Sequence, residues 1–268
     1  MMSWERSITL KTAREIEIMR TAGKINAEAL AAARSIVRPG ITTADVDAAA
    51  AEVLRKHGAR AAFLGVPGAF PYPATTTVSV NDEMVHGIPG KRKLVEGDIV
   101  SIDCGAIVEG FVADSAITCA VGEISEQARR LMEVTEKSLY IGIEQCHPGK
   151  RTGDIGYAIQ SYVEGEGYYL TRDYTGHGVG RSMWEGPSVP NYGRPGRGVP
   201  LRAGMTIAIE PMVLIGTERT VVLEDQWCVA SADGSLTCHF EHTLAITEDG
   251  PEILTSLDSK AEKLDETK

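Results

Sequence analysis

The sequence predicts an α+β protein with a mostly antiparallel sheet flanked by helices. Three observations predict it. Helical periodicity comes in two pairs of segments, each pair joined by a Pro-Gly turn. The runs that read as strands are segregated from the helices as hairpins rather than alternating with them. The two helix pairs also repeat each other. Pro39-Gly40 is followed by Thr43, Asp45, Val46, Leu54 and Gly58, and Pro148-Gly149 by Thr152, Asp154, Ile155, Val163 and Gly167. Every such pair is separated by 109 positions, as are Leu30 and Leu139. Chance similarity of two helical hairpins is the alternative; so many matches at one ungapped offset favour duplication. The expectation is one domain over 1–255, made of pseudo-symmetric halves at roughly 10–122 and 123–255 with a site between them. A polar tail follows at 256–268.

The elements follow in order. The first helix is expected from about Ala13 to Ser35, with Ile16, Met19, Ile25 and Leu30 at near-helical spacing. After Pro39-Gly40, Thr43 is placed as the cap of a second helix ending near Gly58. The second copy repeats the scheme from about Ser125 to Gly167, with Thr152 as cap. Strands are expected from Thr75 to Val80, Asp98 to Val108, Phe111 to Val121, Thr206 to Ile215 and Leu236 to Thr247.

Composition bounds the function. The 268 residues suffice for a sizeable core. A formal charge of -10 argues against a nonspecific phosphate-binding surface, so no nucleic acid partner is expected. Five cysteines at wide spacing, with no CxxC, fit reduced thiols in a cytoplasmic protein better than a disulfide framework or a zinc knuckle. The N-terminal stretch is charged and has no apolar core of a signal peptide. No stretch approaches the ~20 apolar residues of a membrane span, so no membrane partner is expected.

Five candidate metal ligands sit on short apolar or glycine-bracketed segments: Asp103, Asp114, His177, Glu210 and Glu241. A buried carboxylate is costly unless paired or bound to metal. A two-residue turn at Glu109-Gly110 pairs Val108 with Phe111 and sets Gly105 opposite Asp114. Asp103 and Asp114 are then diagonal neighbours on one face. A three-residue turn would reverse that parity, and one buried plus one exposed acid is an equal alternative. Glu210 precedes Pro211, which interrupts a strand or marks an edge. Glu241 lies in LTCHFEHTLAI, where a solvated face is the commoner role. His177, in TGHGVG, is by itself a loop histidine that glycines leave open to close approach. Taken together, four carboxylates and one imidazole without thiolate suit Mn, Fe, Co or Zn.

In order, IDCGAIVEGFVADSA, TGHGVGR, TIAIEPM and HFEHT resemble the metal-binding signature of type I methionine aminopeptidases. MVHGIPG, KTAREIEIMRTAG, YGRPGRGVPLRAGM and EDQW support the match, which spans about Ile8 to Leu254. The resemblance implies the pita-bread fold, with a dinuclear site between two pseudo-symmetric halves, and removal of the initiator methionine from nascent polypeptides. It implies two divalent ions (Co, Mn, Fe or Zn) on those five residues, with Asp114 and Glu241 touching both. Glu210 would also be the general base, and His86 would hydrogen-bond substrate near the scissile amide. Tyr72, Thr77, Tyr174 and Trp227 match positions in or near the methionine pocket. A cytoplasmic monomer working close to the ribosome is the corresponding expectation.

Two positions depart from the family pattern. Trp184 stands seven residues after His177, where the family usually carries a histidine that bonds the substrate carbonyl. Indole can donate one N–H but cannot exchange a proton at neutral pH. His239 stands where glutamine is expected, two residues before Glu241 and on the same strand face. The other readings are a different pita-bread exopeptidase with altered specificity, or a non-catalytic pita-bread binding protein.

Overall fold

Four helices form where periodicity placed them, in a computed structural model that describes residues 8–257. They are α1 (Ala13–Ile36), α2 (Thr43–Lys56), α3 (Glu126–Ile143) and α4 (Thr152–Gly165). The tail expected at 256–268 lies, beyond residue 257, outside the described residues. Gly40 and Gly149 both take φ 90°, so the two Pro-Gly turns share one backbone conformation. The caps fall one residue earlier than expected. Thr42, not Thr43, caps α2: its hydroxyl accepts from the Asp45 amide at 3.2 Å, and Asp45 accepts from the Thr42 amide at 3.0 Å. At α4 the cap is Arg151, whose amide donates to Asp154 at 2.8 Å. Thr42 and Arg151 are both held extended by isolated bridges, to Lys93 and Pro200, and a cap requires that backbone. Thr43 and Thr152 turn inward instead, where their hydroxyls accept from the amides of Gly90 and Val199.

The main sheet has nine strands. Its order is Arg60–Ala61, Ile99–Val108, Phe111–Ala120, Glu241–Thr247, Thr206–Ile209, Gly176–Gly178 and Glu185–Val189. Thr76–Val80 also pairs with Ile99–Val108, and Gly250–Ile253 with Glu241–Thr247. Every pairing is antiparallel. Alternation assigns one face to the helices. Val100, Ile102, Cys104 and Ala106 pack with Leu30, Val46, Ala50 and Leu54 of α1 and α2. Ile207, Ile209, Leu244 and Ile246 pack with Leu131, Leu139, Ile155 and Ile159 of α3 and α4. All five cysteines are free and buried.

The two later strands differ from expectation, because each breaks in two. Met212–Leu214 and Thr237–His239 leave the main sheet and pair with each other in a second sheet, together with Tyr169–Leu170. Pro211 has no N–H to give, so the ladder lapses at Glu210-Pro211. The register is the same on both sides of the lapse: Ile209 faces His242 and Met212 faces His239. Glu210 therefore lies opposite Glu241. A third sheet joins Glu83–Val85, Val229–Ser231 and Thr220–Val222.

Candidate metal centre

The five candidate ligands lie on the sheet face away from the helices, and the register explains why. Ladder partners share a face. One row runs Thr77, Asp103, Ala116, Glu241 across four strands. The next runs Gly105, Asp114, Thr243, Ala208, His177. Its central link is the Thr243 hydroxyl, 2.9 Å from the Asp114 amide and 2.8 Å from the Asp114 carbonyl. Glu210, two residues from Ala208 and opposite Glu241, completes the set. Gly105 lets Ala62 approach beside Asp114, since a Cβ there would meet Ala62 Cβ at 2.7 Å. The turn at Glu109-Gly110 has two residues, both at positive φ (48° and 79°), so the parity expected for Asp103 and Asp114 holds.

Ligand atoms of Asp114, His177 and Glu241 all lie within 4.8 Å of one another. Glu210 joins them, with Oε1 3.5 Å from His177 Nε2 and Oε2 3.7 Å from His239 Nε2. His177 Nδ1 lies 2.9 Å from the Gly178 carbonyl, which requires the proton on Nδ1 and frees the Nε2 lone pair. Burial raises the pKa of all four carboxylates. Neighbouring charges raise Asp103, Glu210 and Glu241 further, and Asp114 is pushed up to about 7. Burial also depresses His86 and His177 to about 4, and His239 to about 3 with help from His86. Among the described residues, no lysine or arginine lines the cavity. Asp103 Oδ1, Asp114 Oδ1 and Glu241 Oε1 are buried without a hydrogen-bond partner. A cluster of acids with orphaned oxygens and no protein cation fits divalent metal.

These residues wall one cavity of about 280 Å³. His86, Tyr72, Thr77, Tyr174, Trp184, Trp227 and His239 line it too, so every candidate site residue from the sequence is brought together. His86 takes φ 62°, a strained conformation for a residue with a side chain. Gly87 has no room for a Cβ, which would meet the Val78 carbonyl at 2.5 Å. Tyr72 supports that turn, with its hydroxyl 2.9 Å from the Gly87 carbonyl. Tyr174 meets the His86 ring edge-on at 6.0 Å. Trp227 packs edge-on against Tyr72 at 5.1 Å, and its indole N–H donates to the Phe70 carbonyl at 3.1 Å. His239 is held by Thr118, whose hydroxyl donates to its carbonyl at 2.7 Å and accepts from its amide at 3.2 Å. Sequence reasoning missed Phe63, Val66, Pro67, Val85, Thr175 and Met212. The apolar, proline-rich run FLGVPGAFPYP was the available signal for the first three.

A curved antiparallel sheet, helices on one face and an acidic metal centre on the other define a pita-bread metallopeptidase. The chain belongs to metallopeptidase family M24, whose pattern matches residues 17–248. Its similarity to methionine aminopeptidases is high. It is 50% identical to that of Clostridium perfringens, over 92% of this chain and 98% of the relative. It is 47% identical to methionine aminopeptidase 1 of Bacillus subtilis, over 92% and 99%. The solved methionine aminopeptidase of Thermotoga maritima superposes with a TM-score of 0.90 at 49% identity, over 93% of this chain and all of that one. The prolidase of Pyrococcus horikoshii OT3 shares the fold alone, with a TM-score of 0.75 at 24% identity over 94% of this chain and 64% of that one.

Proposed function

We propose that the chain removes N-terminal methionine from nascent polypeptides and peptides, with two divalent ions (Co, Mn, Fe or Zn) held by Asp103, Asp114, His177, Glu210 and Glu241. The observation that carries this reading is the convergence of those five side chains, several with orphaned oxygens, in one cavity. When bound, divalent ions supply Lewis acidity and a water acidified toward neutral pH. Glu210 is the general base: its side chain is 13% exposed and faces the cavity. With the ions bound, Glu210 would accept that water's proton and pass it to the departing amine. His86, neutral at pH 7, donates to the substrate beside the scissile amide. Tyr72, Thr77, Tyr174 and Trp227 enclose the methionine side chain, whose burial contributes about 1.5–3 kcal/mol. Trp184 offers one N–H where the family offers a histidine, and His239 stands 3.7 Å from Glu210.

The same reading places the protein in the cytoplasm, as a monomer close to the ribosome. Among the described residues no helix is long and apolar enough to cross a membrane. It also treats 1–255 as one catalytic domain of two duplicated halves, at roughly 10–122 and 123–255, supported by the matching turns at Gly40 and Gly149. The test is a metal-titrated peptidase assay over methionyl and non-methionyl peptides. Cleavage confined to Met-Gly and Met-Ala types after Co, Mn or Fe is added is expected. A folded, metal-loaded protein that cleaves none of them overturns the reading.

A further inference from the structure

Glu185 follows Trp184 directly and lies outside the metal centre. Its carboxylate is buried and takes four donors. One oxygen accepts from the Thr9 hydroxyl and Lys11 Nζ, both at 2.6 Å. The other accepts from the amides of Arg181 at 2.8 Å and Ser182 at 3.3 Å. The Lys11 side chain is only 4% exposed. It lies over Gly180, where a Cβ would meet Lys11 Cε at 2.5 Å. Burying an ion pair costs several kcal/mol per ion, and apolar residues would stabilise the spot as well. What a pair with four donors adds is a fixed geometry.

That geometry belongs to a loop which bridges the strands of His177 and Asp114. The Gly180 carbonyl accepts from the Val112 amide at 2.8 Å, and the Arg181 guanidinium lies 4.2 Å from the Phe111 ring centre. Met183 is buried against the same hairpin, 3.0 Å from where a Gly105 Cβ would stand. Three consecutive side chains thus diverge: Met183 into the hairpin, Trp184 to the cavity, Glu185 to the N-terminal segment. Among the described residues that line the cavity, only Pro67 and Trp184 are exposed. A peptide whose first side chain fills the cavity leaves past them.

We propose that Glu185, locked by Lys11 and Thr9, is a positioning residue that sets Trp184 at the cavity mouth and so governs the fit of substrate residues beyond the first. The inference rests on the aminopeptidase reading above. The test is a double-mutant cycle of Glu185→Gln and Trp184→His, with KM and kcat measured on methionyl tripeptides and metal stoichiometry by calorimetry. Glu185→Gln is expected to raise KM about tenfold with wild-type metal stoichiometry, and to have less than about a twofold effect once Trp184 is replaced. Equal effects in both backgrounds, or a loss of bound metal, overturn the inference. If Glu185→Gln does not fold, Thr9→Val removes a single donor and is read in the same cycle by the same criteria. A wild type that cleaves no methionyl peptide sinks both readings; cleavage with an additive cycle sinks this one alone.

Discussion

The hairpin Ile99–Val108 with Phe111–Ala120 runs ten residues on each strand and closes on a two-residue turn. The pair that carries Glu210 and Glu241 breaks on both strands, and its connection from Ile215 to Leu236 is an excursion with strands of its own. The unbroken ladder holds Asp103 and Asp114 as rigid diagonal neighbours. The broken one sets Glu210 opposite Glu241 and brings Glu210 partly out of the sheet. Its cost is local. The freed Glu210 carbonyl accepts from Asn191 Nδ2 at 2.9 Å, and Thr118 stitches His239 on the other strand. The excursion returns Trp227 to the cavity. On the proposed function, the intact hairpin would anchor metal, and the interrupted one would free Glu210 to move a proton and supply a wall for substrate.

The comparison breaks most severely at the turn. One glycine inserted between Glu109 and Gly110 reverses the parity of the second strand and carries Asp114 to the helix face. Metal binding and turnover should both be lost; a variant that still binds two equivalents would refute the register argument. Next in size, Glu210→Gln should lower kcat by about 10²–10⁴-fold even at saturating metal. Asp103→Asn should instead weaken metal affinity first. Calorimetry beside steady-state kinetics separates the two, and identical behaviour would erase the division between anchoring and working carboxylates. Trp184→His, on the loop bridging both hairpins, should raise turnover on short methionyl peptides by up to about 10²-fold. An unchanged or lower rate shows that a histidine bonded to the substrate carbonyl is not what this position lacks.

Smaller effects concern stability. Asn191→Ala strands the Glu210 carbonyl and should cost about 1–3 kcal/mol, read by thermal melting; a wild-type melt would mean the break needs no support. The last effect is one of pH. Burial pushes Glu185 up, but Lys11 and Thr9 outweigh it and hold the group below its ordinary value of 4.5. A lowered folded pKa gives stability that is complete above the ordinary value and lost as pH falls through the folded one. Lys11→Met should therefore flatten the acid limb of stability below about pH 4.5. A limb as steep as wild type would show the pair is not linked to folding.

Much of this was legible in the chain, and the misses share a cause. Helix positions, the Glu109-Gly110 turn and the face shared by Asp103 and Asp114 all follow from periodicities over a few residues. The caps at Thr42 and Arg151 were misplaced because distant bridges to Lys93 and Pro200 choose which residue is extended. Pro211 marked the lapse at Glu210, but nothing nearby in sequence signals the matching break at Phe240. Val85 and Met212 reach the cavity wall through pairings between distant strands, which no local pattern marks.

The sequence by itself determined an α+β protein with a repeated helix pair and a ligand chemistry of oxygen and imidazole; it left the pairing of Asp103 and Asp114 to the length of one turn. Alternation and helical period are local rules, and these features obey them. Only the tertiary structure decided that Glu241 meets Ala116, that His177 reaches Asp114 across Ala208 and Thr243, and that Glu185 reaches back to Lys11 and Thr9. Those contacts depend on strand order and on register between segments far apart in the chain, which no local pattern encodes.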